Sequence, residues 1–280
     1  DEVIFPLPYY FNHLMAVQMA GGKPVFAQSI RGFELNPAAI ASKVTDKTRA
    51  IVCVSPNNPS GAVFSRASLD NLSKILKERD DIVLISDEPY ANFVYGKNYH
   101  CSPASLPDLR KFTCTLGSGS KSFGIAGWRL GWLHLAPLAE DIYETLLKIQ
   151  DTTNIAPPSI SQKLLLAILQ GPYKTYLEQI RKKMHKNWEI ALTWVDSGKE
   201  MGIEYPQKPQ GAFYLFPKIR GCEDSKSLAI ELLKDQGVVT VPGIAFGQER
   251  YLRISYGGKI EELKEAVTRL ENFFSKWKAE

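Results

Sequence analysis

A lone lysine, Lys121, stands in the hydroxyl-rich turn Gly117-Ser-Gly-Ser-Lys-Ser-Phe-Gly-Ile-Ala-Gly-Trp-Arg-Leu-Gly-Trp132, with Arg129 eight residues beyond it. A deprotonated lysine amine attacks an aldehyde carbonyl to form a Schiff base, and it can afterwards serve as a base. Burial near cationic Arg129 would lower its pKa in that direction. Arg129 with Ser118, and Ser120 as a third donor, can hold a phosphate through charge-assisted hydrogen bonds. One alternative is an ordinary surface lysine in a Gly/Ser turn. A P-loop is another, but that motif demands glycine directly before the lysine and again at its start. Ser120 and Thr115 occupy those positions, so the P-loop is rejected.

Further polar groups follow apolar runs. Asp87 opens Asp87-Glu-Pro-Tyr90 after Ile82-Val-Leu-Ile-Ser86, and Asn58 lies in Asn57-Asn-Pro-Ser-Gly61 after Ile51-Val-Cys-Val-Ser55. In an open α/β sheet, ligands sit beyond the carboxyl ends of the strands. Asn58, Asp87 and Ser118 each follow a predicted strand, so the three can meet on one ligand. An aldehyde and a phosphate occur together in pyridoxal 5′-phosphate. A nearly buried Asp87 carboxylate needs a partner, and the protonated pyridine nitrogen of that cofactor supplies one. The carboxylate would keep the ring an electron sink. Tyr90 and Asn58 can reach its phenolic oxygen, which keeps the imine reactive near neutral pH. Read singly, Asp87 also suits a helix N-cap or turn, and Asn58 a turn.

The elements that must position these groups show short apolar runs alternating with helical patterns, the signature of a largely parallel sheet covered by helices. Strands are predicted from Asp1 into Phe5 and over 25–28, 51–55, 82–86, 112–116 and 130–135. Ser65 caps a predicted helix to Arg79 with Leu69, Leu72, Ile75 and Leu76 on one face. Pro137 starts a helix running to about Asp151, and Pro157 or Pro158 the next. Near Gly171-Pro172 the pattern changes. A long helix from Tyr173 to Ser197 leads into an α+β unit with strands over 212–216, 238–241 and 252–255 and helices over 225–236 and 260–276. The division expected is therefore 1–172, a large cofactor-binding unit, and 173–280, a smaller one.

In order and spacing, Asn58, Asp87 with Tyr90, Lys121, Arg129 and the distant Arg253 in Tyr251-Leu-Arg-Ile-Ser-Tyr256 resemble the aspartate-aminotransferase-like, fold type I (class I/II) pyridoxal-phosphate enzymes. The resemblance runs from about Pro8 to the C-terminus. It implies an α/β fold with a mostly parallel sheet between helices and a smaller C-terminal α+β domain. It further implies that Tyr10 stacks on the pyridine ring, that Arg253 grips the substrate α-carboxylate, and that Gly211-Ala-Phe-Tyr214 borders the substrate pocket. Amino-group transfer between an amino acid and a 2-oxo acid through Lys121 is the implied activity, in a homodimer. Carbon–sulfur β-elimination uses the same Lys121, Asp87 and Arg253 and stays open, as does a non-catalytic paralogue. Relative to the family pattern the expected chain is incomplete at its N-terminus by roughly a hundred residues, leaving a sheet edge unpaired and apolar surface exposed.

Composition excludes several other classes. The chain has 280 residues, 44% of them hydrophobic and 23% charged, which suits a folded globular protein. Its net charge of +4 is spread without like-charge blocks, so nucleic-acid binding is not expected. Cys53, Cys101, Cys114 and Cys222 form no C-x-x-C pair, so neither a disulfide framework nor a zinc site is expected. Cys53 and Cys114, inside apolar strand patterns, read as buried thiols. No apolar run reaches membrane-spanning length, and the expected compartment is the cytoplasm.

Overall fold

The central feature is a six-stranded sheet of order β2-β1-β3-β4-β5-β6, parallel except for the antiparallel outer strand β6. The strands are β1 (Glu2–Pro6), β2 (Lys23–Ala27), β3 (Thr48–Val54), β4 (Val83–Asp87), β5 (Thr113–Ser118) and β6 (Gly131–His134) in this computed structural model, which describes residues 1–277. β3 sits between β1 and β4, and five consecutive residues, Ala50 to Val54, are buried. A parallel strand covered on both faces reads as a continuous apolar run, as this one does. β6 differs. All four of its residues are exposed, Trp132 and Leu133 among them.

The helices are α1 (Phe11–Met19), α2 (Pro37–Ala41), α3 (Arg66–Glu78), α4 (Pro107–Arg110), α5 (Gly119–Ser122), α6 (Tyr143–Asn154), α7 (Ser159–Gln170), α8 (Tyr173–Ser197), α9 (Ser225–Gln236) and α10 (Ile260–Phe274). Ser65 caps α3 by accepting from the Ser68 N–H, and Leu69, Leu72 and Leu76 of that helix are buried. Each such leucine contributes roughly 1.5–3 kcal/mol by leaving water. α9 begins at Asp224, which accepts from the Lys226 and Ser227 N–H groups, and ends at Gly237 with φ 64°. A glycine there adopts the left-handed conformation without a Cβ clash.

Smaller strands complete the C-terminal part. β10 (Val241–Pro242), β11 (Leu252–Ser255) and β8 (Tyr214–Leu215) form one antiparallel sheet, and β7 (Ile203–Glu204) pairs with β9 (Lys218–Ile219). β8 takes in only two residues of the expected 212–216, and β10 starts at Val241 where 238–241 was expected, running on to Pro242 at the sheet edge, where a residue without an N–H is tolerated. The helix expected from Pro137 is a 3₁₀ turn, Pro137–Ile142, before α6. Its Leu138 N–H, free at the start of the turn, donates to the Lys111 carbonyl at 3.1 Å. α1 was not legible at all, because none of its residues is buried and no apolar face marks it.

Two main cores result. One gathers Ile4, Ile51, Leu69, Leu84 and Phe112 between the sheet and its helices. The other gathers Trp194, Leu232, Tyr256 and Phe273, but it also takes in Tyr90, Phe93 and Tyr95 from the segment after β4. That segment therefore ties the strand end of the large sheet to the C-terminal core. All four cysteines are free, and Cys53 and Cys114 are buried as expected. Among the described residues no helix is long and apolar enough to cross a membrane.

Candidate active site

The sequence places the chemistry at strand ends, and the fold gathers those ends. Asn58 lies in the loop after β3, Asp87 is the last residue of β4, and Ser118 closes β5 while capping α5. Lys121 lies in α5 and is partly buried. Burial first, then Arg253 and Arg129, holds its ammonium pKa below the usual lysine value. The anticipated role of Arg129 is thus joined by Arg253, which comes from a strand of the other core.

Arg253 is the link between the two parts. Its Nη1 donates to Asn58 Oδ1 at 2.9 Å. Its guanidinium carbon lies 4.7 Å from the Tyr214 ring centre and 5.1 Å from that of Phe246. Aromatic faces at these distances stabilise a cation without neutralising it, which leaves the charge for a carboxylate. Tyr214 also meets Tyr90, hydroxyl to hydroxyl, at 2.8 Å. Burial, with Tyr214 beside it, pushes the Tyr90 phenol far above its ordinary pKa, and Tyr10 and Asp87 lie near enough to add to the rise.

Two of the predicted residues have partners that the sequence did not name. Asp87 is nearly buried, its side chain 16% exposed, and its Oδ2 lies 2.8 Å from His13 Nε2. α1 brings that histidine in, and sequence reasoning missed it. The available signal was its i, i+3 spacing from Tyr10, whose ring meets His13 edge-on at 5.6 Å. Arg129 is exposed, and its Nη1 donates to the Ala126 carbonyl at 2.8 Å. Among the described residues no hydrogen bond joins it to Ser118, whose Oγ instead accepts the Ser120 N–H at 3.1 Å. The Arg129 backbone is left-handed, with φ 55° and ψ 49°. That conformation costs a non-glycine residue of order 1 kcal/mol or more and concentrates at functional sites.

Tyr10 caps α1, and its hydroxyl accepts from Asn12 Nδ2 at 3.0 Å. Tyr9, by contrast, stacks on Phe26 with ring centres 5.2 Å apart. Phe213 stands beside the lysine, its ring centre 5.8 Å from Lys121 Nζ and 5.2 Å from the Tyr90 ring.

The donor set fits pyridoxal 5′-phosphate. Lys121, Arg129 and Arg253 bring three positive side chains together. Asp87 lies near Tyr90, and its Oδ1 has no protein donor among the described residues. A surplus of cation calls for an anionic ligand, and a free carboxylate oxygen suits a ring N–H.

Comparison with known proteins agrees. The family model for aminotransferase class I and II matches residues 1–270. This chain belongs to that family. It is 34% identical to the aspartate aminotransferase of Bacillus subtilis, over 99% of this chain and 70% of the relative. To aromatic-amino-acid aminotransferase 2 of Thermococcus litoralis it is 36% identical, over 97% and 69%. The crystal structure of an aromatic aminotransferase from Pyrococcus horikoshii superposes with a TM-score of 0.88 at 36% identity, covering 97% of this chain and 72% of that one. The aminotransferase is thus a pyridoxal-phosphate-dependent transferase that moves an amino group between an amino acid and a 2-oxo acid. Its fold is the aspartate-aminotransferase-like α/β arrangement with a small antiparallel region, as the resemblance implied.

Proposed function

We propose that transfer runs through Lys121, with Asp87, Tyr90, Asn58, Ser118, Ser120, Arg129 and Tyr10 holding the cofactor and Arg253 the substrate. Bound pyridoxal 5′-phosphate supplies an electrophilic carbon and a protonated ring that accepts electron density from the substrate Cα. Asp87 holds the ring N–H with the oxygen that His13 leaves free, and His13 keeps the carboxylate oriented. Tyr90 and Asn58 donate toward the phenolic oxygen. Arg129, Ser118 and Ser120 bind the phosphate, and Tyr10 covers the ring. Lys121, with its pKa lowered, loses its proton more readily than an exposed lysine and takes the Cα proton. Arg253 binds the α-carboxylate by two parallel N–H bonds, and Asn58 orients it.

The observation that carries this reading is the convergence on Lys121 of Arg129, eight residues beyond it, and Arg253, 132 residues beyond it, which also holds Asn58. Borohydride treatment of the cofactor-loaded protein tests it: the reduced cofactor should be recovered on the Lys121 peptide, and Lys121→Ala should abolish turnover. Steady-state transamination by Lys121→Ala comparable to wild type would discard the assignment.

We extend the reading to a division near residue 172 and to a cytoplasmic homodimer serving amino-acid biosynthesis. Exposed apolar residues on β6, α6 and α7, among them Trp132, Leu133, Leu147, Ile149, Ile160 and Leu166, support a surface covered by another chain. Phe213, Phe246, Tyr214 and Tyr10 around the site favour neutral or aromatic amino acids, with 2-oxoglutarate or another oxo acid as partner. A substrate panel decides between phenylalanine, methionine and alanine on one side and aspartate on the other. Pyruvate and ammonia released from one substrate, without an oxo-acid acceptor, would instead mark β-elimination.

A further inference from the structure

Behind the site lies a second carboxylate–histidine pair that no role above uses. Glu88 follows Asp87 directly, and successive side chains of an extended strand point to opposite faces. Asp87 reaches His13 on one face, and Glu88 joins Ser86 on the other. Glu88 Oε1 accepts from Ser86 Oγ at 2.7 Å and from Ser102 Oγ at 2.9 Å. Its Oε2 lies 2.9 Å from His100 Nε2, and both side chains of that pair are only 9% exposed.

The surroundings say what the pair is for. His100 Nδ1 is buried with no partner among the described residues. A buried polar atom left unpaired is costly, so the ring is not explained by its own packing. What it contributes is the bond from its other nitrogen to Glu88. Glu88 is in turn the first residue of a tight turn, closed by the Ala91 N–H donating to the Glu88 carbonyl at 3.1 Å. That turn carries Tyr90, and the Glu88 N–H still holds the sheet through the Leu116 carbonyl at 3.0 Å. One residue therefore sets the direction of Asp87 before it and of Tyr90 after it.

We propose that Glu88 and His100 are positioning residues for the transfer reaction, their buried pair anchoring the Asp87–Tyr90 turn from the face opposite the site. The proposal rests on the roles given above to Asp87 and Tyr90. Those groups must stay aligned on the cofactor through a full cycle, and misplacement by about 1 Å costs roughly a hundredfold in rate. A buried carboxylate that meets three donors forms a network that rigidifies the segment carrying it.

The test uses the cofactor-loaded enzyme with Glu88→Gln, His100→Leu, His100→Gln and Ser102→Ala. Three quantities are read: kcat against KM, the pH midpoint of the bound cofactor's visible band, and the melting temperature. Glu88→Gln and His100→Leu should lower kcat about ten- to a hundredfold with KM changed less than about threefold. The midpoint of the visible band should move by about half a pH unit or more, because Tyr90 and Asp87 shift against the ring. His100→Gln, whose amide can still donate to Glu88, should recover most of the loss. Should the first two variants fail to fold, Ser102→Ala removes a single donor, and a smaller change in the same direction is expected. Lowered melting temperature with unchanged kcat and midpoint would make the pair a fold clamp only and overturn the proposal. Wild-type protein without a visible band on adding pyridoxal phosphate would overturn the site reading itself, which separates the two failures.

Discussion

Arg253 and Asn58, 195 residues apart in the chain, share a 2.9 Å hydrogen bond that joins the C-terminal sheet to the end of β3. The bond holds the guanidinium by one edge between Tyr214 and Phe246. Arg253→Leu should lower kcat/KM by about 30- to 5,000-fold, mainly through KM, as expected for losing a charge pair in a desolvated pocket at roughly 2–5 kcal/mol. The visible band of the bound cofactor should barely change. Asn58→Ala should show part of the same KM effect, and a double-mutant cycle should give non-additive changes. Additive effects would show that the two side chains work independently.

Lys121 should cost the cofactor-free protein stability. Burial and the two arginines put its folded pKa below the ordinary 10.5. Between those two values the unfolded chain binds more protons than the folded one, so unfolding free energy rises with pH across that window. Below the window the penalty is fully present. Lys121→Met should therefore raise the melting temperature at pH 7 by about 1–3 °C, a size already reduced for partial solvent screening. The gain should shrink as pH approaches 10.5. A variant that melts lower than wild type at pH 7 would contradict this electrostatic account.

Asp87→Asn should still bind pyridoxal phosphate but lose about a hundredfold or more in kcat, since an amide cannot balance a ring cation. His13→Ala leaves the carboxylate in place and removes its 2.8 Å partner. A smaller loss, about tenfold, is expected there. Equal rates for wild type and Asp87→Asn in single-turnover assays would reduce Asp87 to a turn residue.

Gly211 is a tight joint between the two parts. A Cβ there would stand 2.7 Å from both the Phe93 carbonyl oxygen and Pro56 Cβ. Its N–H donates to the Gly61 carbonyl at 2.8 Å, which fixes it in that gap. Neither neighbour is a flexible side-chain tip, so Gly211→Ala should destabilise by about 1–3 kcal/mol. It should also raise KM, because β8 beyond it carries Tyr214 against Arg253. Urea denaturation with substrate titration checks both, and a variant of native stability would mean that the loop yields.

Much of this protein is determined locally, and that part was legible. Ser65 with Leu69, Leu72 and Leu76 specifies a capped amphipathic helix, and the apolar run before Asp87 specifies a buried strand. Strand ends in such a sheet point their loops to one side, so the sequence alone groups Asn58, Asp87, Ser118 and Lys121. What only the tertiary structure decided are the partners that reach these residues from elsewhere. His13 meets Asp87 across 74 residues, and Tyr214 meets Tyr90 across 124. α1 has no buried face to announce it, and strand β8 is two residues long, too short for a periodic signal. The Glu88–His100 pair is hidden for the same reason, since its 2.9 Å contact depends on a loop folding back against a strand face. Periodicity reports which side of an element is buried. The choice of partner on that side is made by packing between distant segments, and no local pattern encodes it.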